Sequence, residues 1–207
     1  MNYYIGLSLA SGSSMDSGVA VIDENSQIIL LDKLYKVSDI IFFFENYANL
    51  NYSKICASLP WDRTMLEGKW RILSKPYQMV STNPHIPNRE NWTQRYSNRG
   101  SEFLKELSDR GIEVNRFELY LTRQSLRLNS CSIERSPADC KFLQQTLRVE
   151  YGFTELPTNM MPMAQMEAIV GAMLAKEKAN NPENIKKLFD FNGLDVIDFT
   201  KAPQLVS

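Results

Sequence analysis

Only one histidine, His85, occurs in 207 residues, which leaves no basis for a zinc centre of several imidazoles. It also gives no support to a Ser-His-Asp triad, and its setting among prolines and asparagines reads as a loop. Cysteine is equally sparse: Cys56, Cys131 and Cys140 show neither CxxC spacing nor a paired framework. Free, mostly buried thiols in a reducing compartment are therefore expected. A charge excess of either sign is missing too, since 23 basic and 24 acidic residues leave a net charge of -1. Bulk electrostatics thus announce no polyanionic partner. No apolar run approaches the ~18 residues that a membrane span needs, and Asn2 and Tyr3 lead directly into a strand rather than a secretion leader. A cytoplasmic chain without membrane contact is the expectation.

What the chain does have is a centre of organisation at Tyr3 to Asp23, YYIGLSLASGSSMDSGVAVID. Two apolar runs flank a loop of small residues, which is the pattern of a β-hairpin. Phosphotransferases and nucleases often begin this way, with a carboxylate on the first strand directed at a metal ion. Ser8 occupies the position where that carboxylate would stand.

Gln27 to Leu34 follows the turn at Glu24-Asn25-Ser26 and predicts a third antiparallel strand. Ile40, Ile41, Phe44 and Tyr47 have helical spacing within Val37 to Asn49, and the Phe42-Phe43-Phe44 cluster reads as core. Lys54 to Leu59, ended by Pro60, predicts a strand parallel to the first. Residues 61–98 break the rhythm with Pro76, Pro84, Pro87 and all three tryptophans, and read as a long insertion over one end of the sheet. Arg99 to Gly111 predicts a helix, Arg116 to Leu121 a fifth strand, and Pro137 to Tyr151 a helix capped by Ser136. Pro162 to Ala179 is the last strong helix. Residues 1–179 then form one domain, and 180–207 a C-terminal tail whose FDFNGLDVIDF segment reads either as an added strand or as a docking peptide for a protein partner. Between Arg89 and Arg148 stand 11 basic and 8 acidic residues, a mild excess that reads first as a solvated helical face.

Several strings, taken in order, resemble one family, the predicted ribonuclease H-like nucleases of the DUF429 type. They are GLSLA at Gly6 to Ala10, SGVAVID at Ser17 to Asp23, ASLP at Ala57 to Pro60 and GKWR at Gly68 to Arg71. The series continues with NPHIPNR at Asn83 to Arg89, ELYL at Glu118 to Leu121 and MEAIVGAMLA at Met166 to Ala175. The resemblance implies an α/β fold of ribonuclease H-like architecture, a mixed five-stranded sheet of three antiparallel and then two parallel strands flanked by helices. It also implies a phosphodiesterase dependent on Mg²⁺ or Mn²⁺. A second string, SGSSMDSG at Ser11 to Gly18, is similar to the phosphate loop of actin-like sugar kinases. Those kinases close a second domain over the nucleotide, and this chain is too short for one.

The departures from the family pattern are as informative as the matches. An acid belongs on the first strand where this chain has Ser8, and another on the fourth where it has Ser58. Glu118 and Glu167 are retained as the expected metal ligands, and Asp16 and Asp62 are the acids placed to assist. Two-metal hydrolysis needs several oxygen anions converging on ions ~4 Å apart, and a serine hydroxyl is a neutral, poor ligand. The sequence therefore points to an eroded metal site in a weak or inactive phosphodiesterase that acts as a binding module. The alternative is a working nuclease using Glu118 and Glu167. Arg71, Arg89, Arg95 and Arg99 are the candidates for contacting a nucleic acid or nucleotide.

Overall fold

A computed structural model of the chain describes residues 2–9, 17–34, 43, 52–58, 104–132, 136–191 and 193–203. The predicted helix at 37–49 (apart from the buried Phe43) and the predicted insertion at 61–98 lie outside these residues.

The N-terminal hairpin forms as its pattern requires. Strand β1 (Tyr3–Ser8) pairs antiparallel with β2 (Ser17–Ile22), and β2 with β3 (Ile28–Leu34). The β2–β3 turn is held by Asp23, whose Oδ1 accepts the backbone N–H groups of Asn25 and Gln27 at 2.8 Å each. Ser26 takes the left-handed conformation there (φ 64°), and its hydroxyl oxygen accepts from Lys176 Nζ at 2.5 Å. A short polar side chain that hydrogen-bonds its own backbone makes such a turn without glycine.

Strand β4 (Tyr52–Ser58) lies parallel to β1, and β5 (Glu113–Phe117) parallel to β4. The first described helix, α1 (residues 104–109), ends at Gly111, which has a φ of 86°. The expectation of a strand over Arg116 to Leu121 is corrected: β5 stops at Phe117 and α2 (Leu119–Ser125) begins two residues later. Register gives the reason. Ser58, the last residue of β4, pairs with Phe117, and the described β4–β5 ladder ends there. Turning into a helix supplies the partners instead, beginning with the Thr122 N–H to the Glu118 carbonyl at 2.9 Å.

Helix α3 (Pro137–Val149) starts as predicted, with Ser136 Oγ accepting the Asp139 N–H at 3.2 Å and proline in the first turn. Helix α4 (Met163–Asn180) is buried almost all round, as a central helix without a polar face must be. A 3₁₀ turn (Pro182–Asn184) leads into β6 (Ile185–Phe191) and β7 (Leu194–Phe199). Strand β7 inserts beside β5 in parallel, and β6 pairs antiparallel with β7.

Among the described residues the sheet is therefore mixed and seven-stranded, in the order β3-β2-β1-β4-β5-β7-β6, rather than five-stranded. The two extra strands come from the segment read as a tail, whose Asn-Gly flanked by apolar residues is a hairpin signature.

Period-two alternation splits the core between the two faces. Tyr4, Ala20, Ile22, Cys56 and Phe117 face α3 and α4, whereas Ile5, Leu7, Val19, Val21, Ile55 and Ala57 pack with α1 and Phe43 on the other side. The α4 side has almost no separation at two points. A Cβ placed on Gly6 would lie 1.8 Å from the Ala168 carbonyl oxygen, and one on Gly18 would lie 2.0 Å from that of Ala164. Glycine at these positions lets the helix lie directly on the strands.

Candidate functional site

Strands β1, β4, β5 and β7 run in one direction, and their C-terminal ends fall in line: Ser8 pairs with Ser58, Ser58 with Phe117, and Phe117 with Ile197. In open α/β sheets this edge is where ligands bind. Ser8 and Ser58 are thus immediate neighbours, as the parallel pairing of β1 and β4 predicts.

Gly6 and Gly18 set the third member by bringing α4 so close that Glu167 reaches over the end of β1. Ser8 Oγ donates to Glu167 Oε2 at 2.7 Å in a fully buried contact, with Glu167 only 1% exposed. A hydroxyl-to-carboxylate bond of this length belongs to the stronger class. Ser58 Oγ donates to the Leu7 carbonyl at the longer distance of 3.5 Å, while the Leu9 N–H returns to the Ser58 carbonyl at 3.0 Å. Both hydroxyls are therefore engaged inside the fold.

Glu118 is buried at the end of β5, one residue past the Phe117 partner of Ser58, and serves as the residue before α2 without capping it through its side chain. The same edge of the sheet accordingly carries Ser8, Ser58, Glu118 and Glu167. Asp16, Asp62, Arg71, Arg89, Arg95 and Arg99 lie outside the described residues. Among the described residues no three His, Cys, Asp or Glu side chains converge as a metal site would need. Two hydroxyls and one engaged carboxylate at the β1–β4 end do not fit a Mg²⁺ or Mn²⁺ ion, which is held through carboxylates and water.

No family model matches this chain, and neither does any curated protein or solved structure.

Two groups near this edge escaped the sequence reading. Arg116 on β5 is 1% exposed and is among the largest fully buried side chains. Its signal is a cation at the head of RFELYL, a run expected to be a strand. Asp198, on β7, is 2% exposed and accepts from Ser125 Oγ at 2.9 Å, with Lys186 Nζ at 3.4 Å from the same Oδ2. Its signal is the alternation in LDVIDF, within the segment expected to be a tail. Elsewhere, burial pushes the Cys56 thiol far above its ordinary range, so it is an inert core group rather than a nucleophile.

Proposed function

We propose that this chain is a ribonuclease H-like domain of the predicted nuclease type whose metal site has lapsed, so that it binds a nucleic acid or nucleotide without turning it over. The observation that carries the reading is the Ser8–Glu167 hydrogen bond beside Ser58. Where the family pattern puts acids that share a cation with the helix acid, a neutral hydroxyl bonds that helix acid directly. The antiparallel β1–β3 unit followed by parallel β4 and β5 supports the architecture. The arginines at 71, 89, 95 and 99 supply the phosphate-facing charge in this proposal, and the segment around β6 and β7 serves the sheet rather than a docking partner.

Restoring the acids tests the assignment of the site. In the Ser8→Asp/Ser58→Asp double variant, new carboxylates face Glu167 in a buried position. With EDTA present, the uncompensated charge is expected to cost about 3 kcal/mol of stability. A divalent ion at a hundredfold excess over its Kd would return about 2.7 kcal/mol. Thermal unfolding should therefore show a Mn²⁺-dependent rise in Tm several degrees beyond that of the parent chain. An equal response of parent and variant would remove the site from the β1–β4 end.

The function itself is tested with labelled DNA and RNA, single- and double-stranded, in Mn²⁺. The expected result is binding that weakens in the Arg95→Ala/Arg99→Ala variant, with no cleavage. Cleavage that disappears in Glu118→Gln would instead establish the working nuclease.

A further inference from the structure

The C-terminal hairpin is built as a unit. Strands β6 and β7 pair with each other at six positions, from Ile185–Phe199 to Phe191–Leu194. Strand β7 meets β5 at two, Arg116–Val196 and Phe117–Ile197. Charged contacts close within the hairpin as well. Lys187 Nζ lies 2.5 Å from Asp195 Oδ1 and Lys186 Nζ 3.4 Å from Asp198 Oδ2, while the Gly193 N–H donates to Asp190 Oδ1 at 3.1 Å. All of these contacts travel with the hairpin when it moves.

Polar ties to the rest of the chain stand at the margins of the hairpin. Ser125 Oγ on α2 donates to Asp198 Oδ2 at 2.9 Å. In the linker of residues 181–184, the side-chain amides of Asn184 and Asn181 donate to Glu177 Oε1 on α4, at 2.6 and 3.2 Å. Between these margins burial holds the hairpin closed, since Leu194, Val196, Ile197 and Phe199 are each 2% exposed or less. Asp198 works against that gain. It is equally buried, and its Oδ1 has no hydrogen-bond partner among the described residues. A carboxylate oxygen left unsatisfied in the interior costs free energy that water returns on opening. The close approach of α4 to β1 and β2 at Gly6 and Gly18 does not involve the hairpin.

We propose that β6 and β7 form a detachable strap. The hairpin swings out on residues 181–184 as one body, while β1–β5 and α4 stay folded. Opening frees the β5 main chain at Arg116 and Phe117, the positions that β7 occupies when closed. It also brings Asp198 to water together with its partner Lys186. The strap does not depend on whether the β1–β4 end has lost its metal or binds a nucleic acid.

Native-state hydrogen exchange of the full chain in increasing urea separates a strap from a fixed part of the sheet. Ladder amides of residues 185–199 should share one opening, with a smaller urea slope than the amides of β1, β2 and β4, because less surface is exposed. Ile5→Val supplies a second reading, since Ile5 is fully buried on β1 and two strands stand between it and β7. The variant should speed exchange of β1 and β4 amides roughly fivefold. Hairpin amides should keep the parent rate, because the open form still holds Ile5 in its core. Ser125→Ala removes the hydroxyl that ties α2 to Asp198 and should speed hairpin exchange roughly tenfold. One urea slope common to all strands, or equal acceleration of hairpin and β1 amides in Ile5→Val, would overturn the strap. Hairpin exchange left unchanged by Ser125→Ala would overturn it as well.

Discussion

Gly6→Ala is expected to lower the urea midpoint far enough that little folded protein remains at 37 °C. The new methyl carbon would stand 1.8 Å from the Ala168 carbonyl oxygen and 2.3 Å from the Ala172 nitrogen. Both are main-chain atoms of α4, so no rotamer change relieves the overlap and the helix itself must withdraw. That helix packs across β1, β2 and β4 and contributes a large part of the core on its face of the sheet. Overpacking of an ordinary core costs about 1–3 kcal/mol; displacing a central helix places this variant at the top of that range or above it. Domains of this kind have about 5–15 kcal/mol in total. Gly193→Ala is the matched control, because nothing lies within 4 Å of the added carbon and only the positive φ of 76° is strained. It should lose about 1 kcal/mol. Equal unfolding midpoints for the two variants would mean that α4 does not lie on β1 as described.

Arg123→Met should destabilise the chain by about 3–5 kcal/mol, since it leaves Asp139 buried without its cation. The pair is two-pronged: Arg123 Nη2 meets Asp139 Oδ1 at 2.7 Å and Nη1 meets Oδ2 at 3.2 Å, with side-chain exposures of 3% and 2%. Arg123 Nε and Nη2 also donate to the Leu128 carbonyl at 3.3 and 2.9 Å, and Ser130 Oγ donates to Asp139 at 2.8 Å. The arginine thus ties the end of α2 and the following turn to the first turn of α3. Removing both charges together, as Arg123→Met/Asp139→Leu, should recover a substantial part of the loss, because two charges no longer need to be kept from water. Chemical denaturation of the two single variants and the double variant measures this coupling. A double variant no more stable than Arg123→Met would show that the hydrogen bonds to Leu128 and Ser130, rather than the charge pairing, carry the stability.

The parts of this molecule that could be read from its sequence are those fixed locally. The alternation and turn chemistry of Tyr3 to Leu34, the Ser136 cap with proline behind it, and the apolar stretch Ala168 to Ala175 of α4 each depend on residues a few positions apart. The boundary between β5 and α2 is not legible, because RFELYL suits a strand and a short buried helix equally well. What ends the strand at Phe117 is the length of β4, a partner remote in sequence. At the site, the parallel pairing of β1 and β4 was enough to place Ser8 beside Ser58. The contact with Glu167 was not legible, since it depends on the rotation of α4 over two glycines. Asp198 was missed for a topological reason: the strand that carries it inserts inside the sheet rather than after its last predicted member.

That insertion bears on how the protein is made. Strand β7 covers the outer edge of β5 but follows it in the chain, after α2, α3 and α4. Until residue 199 has emerged, the parallel half of the sheet ends in an unpaired strand, the kind of edge that recruits strands from other chains. Synthesis that stalls after α4 therefore releases an adhesive intermediate rather than a smaller stable domain.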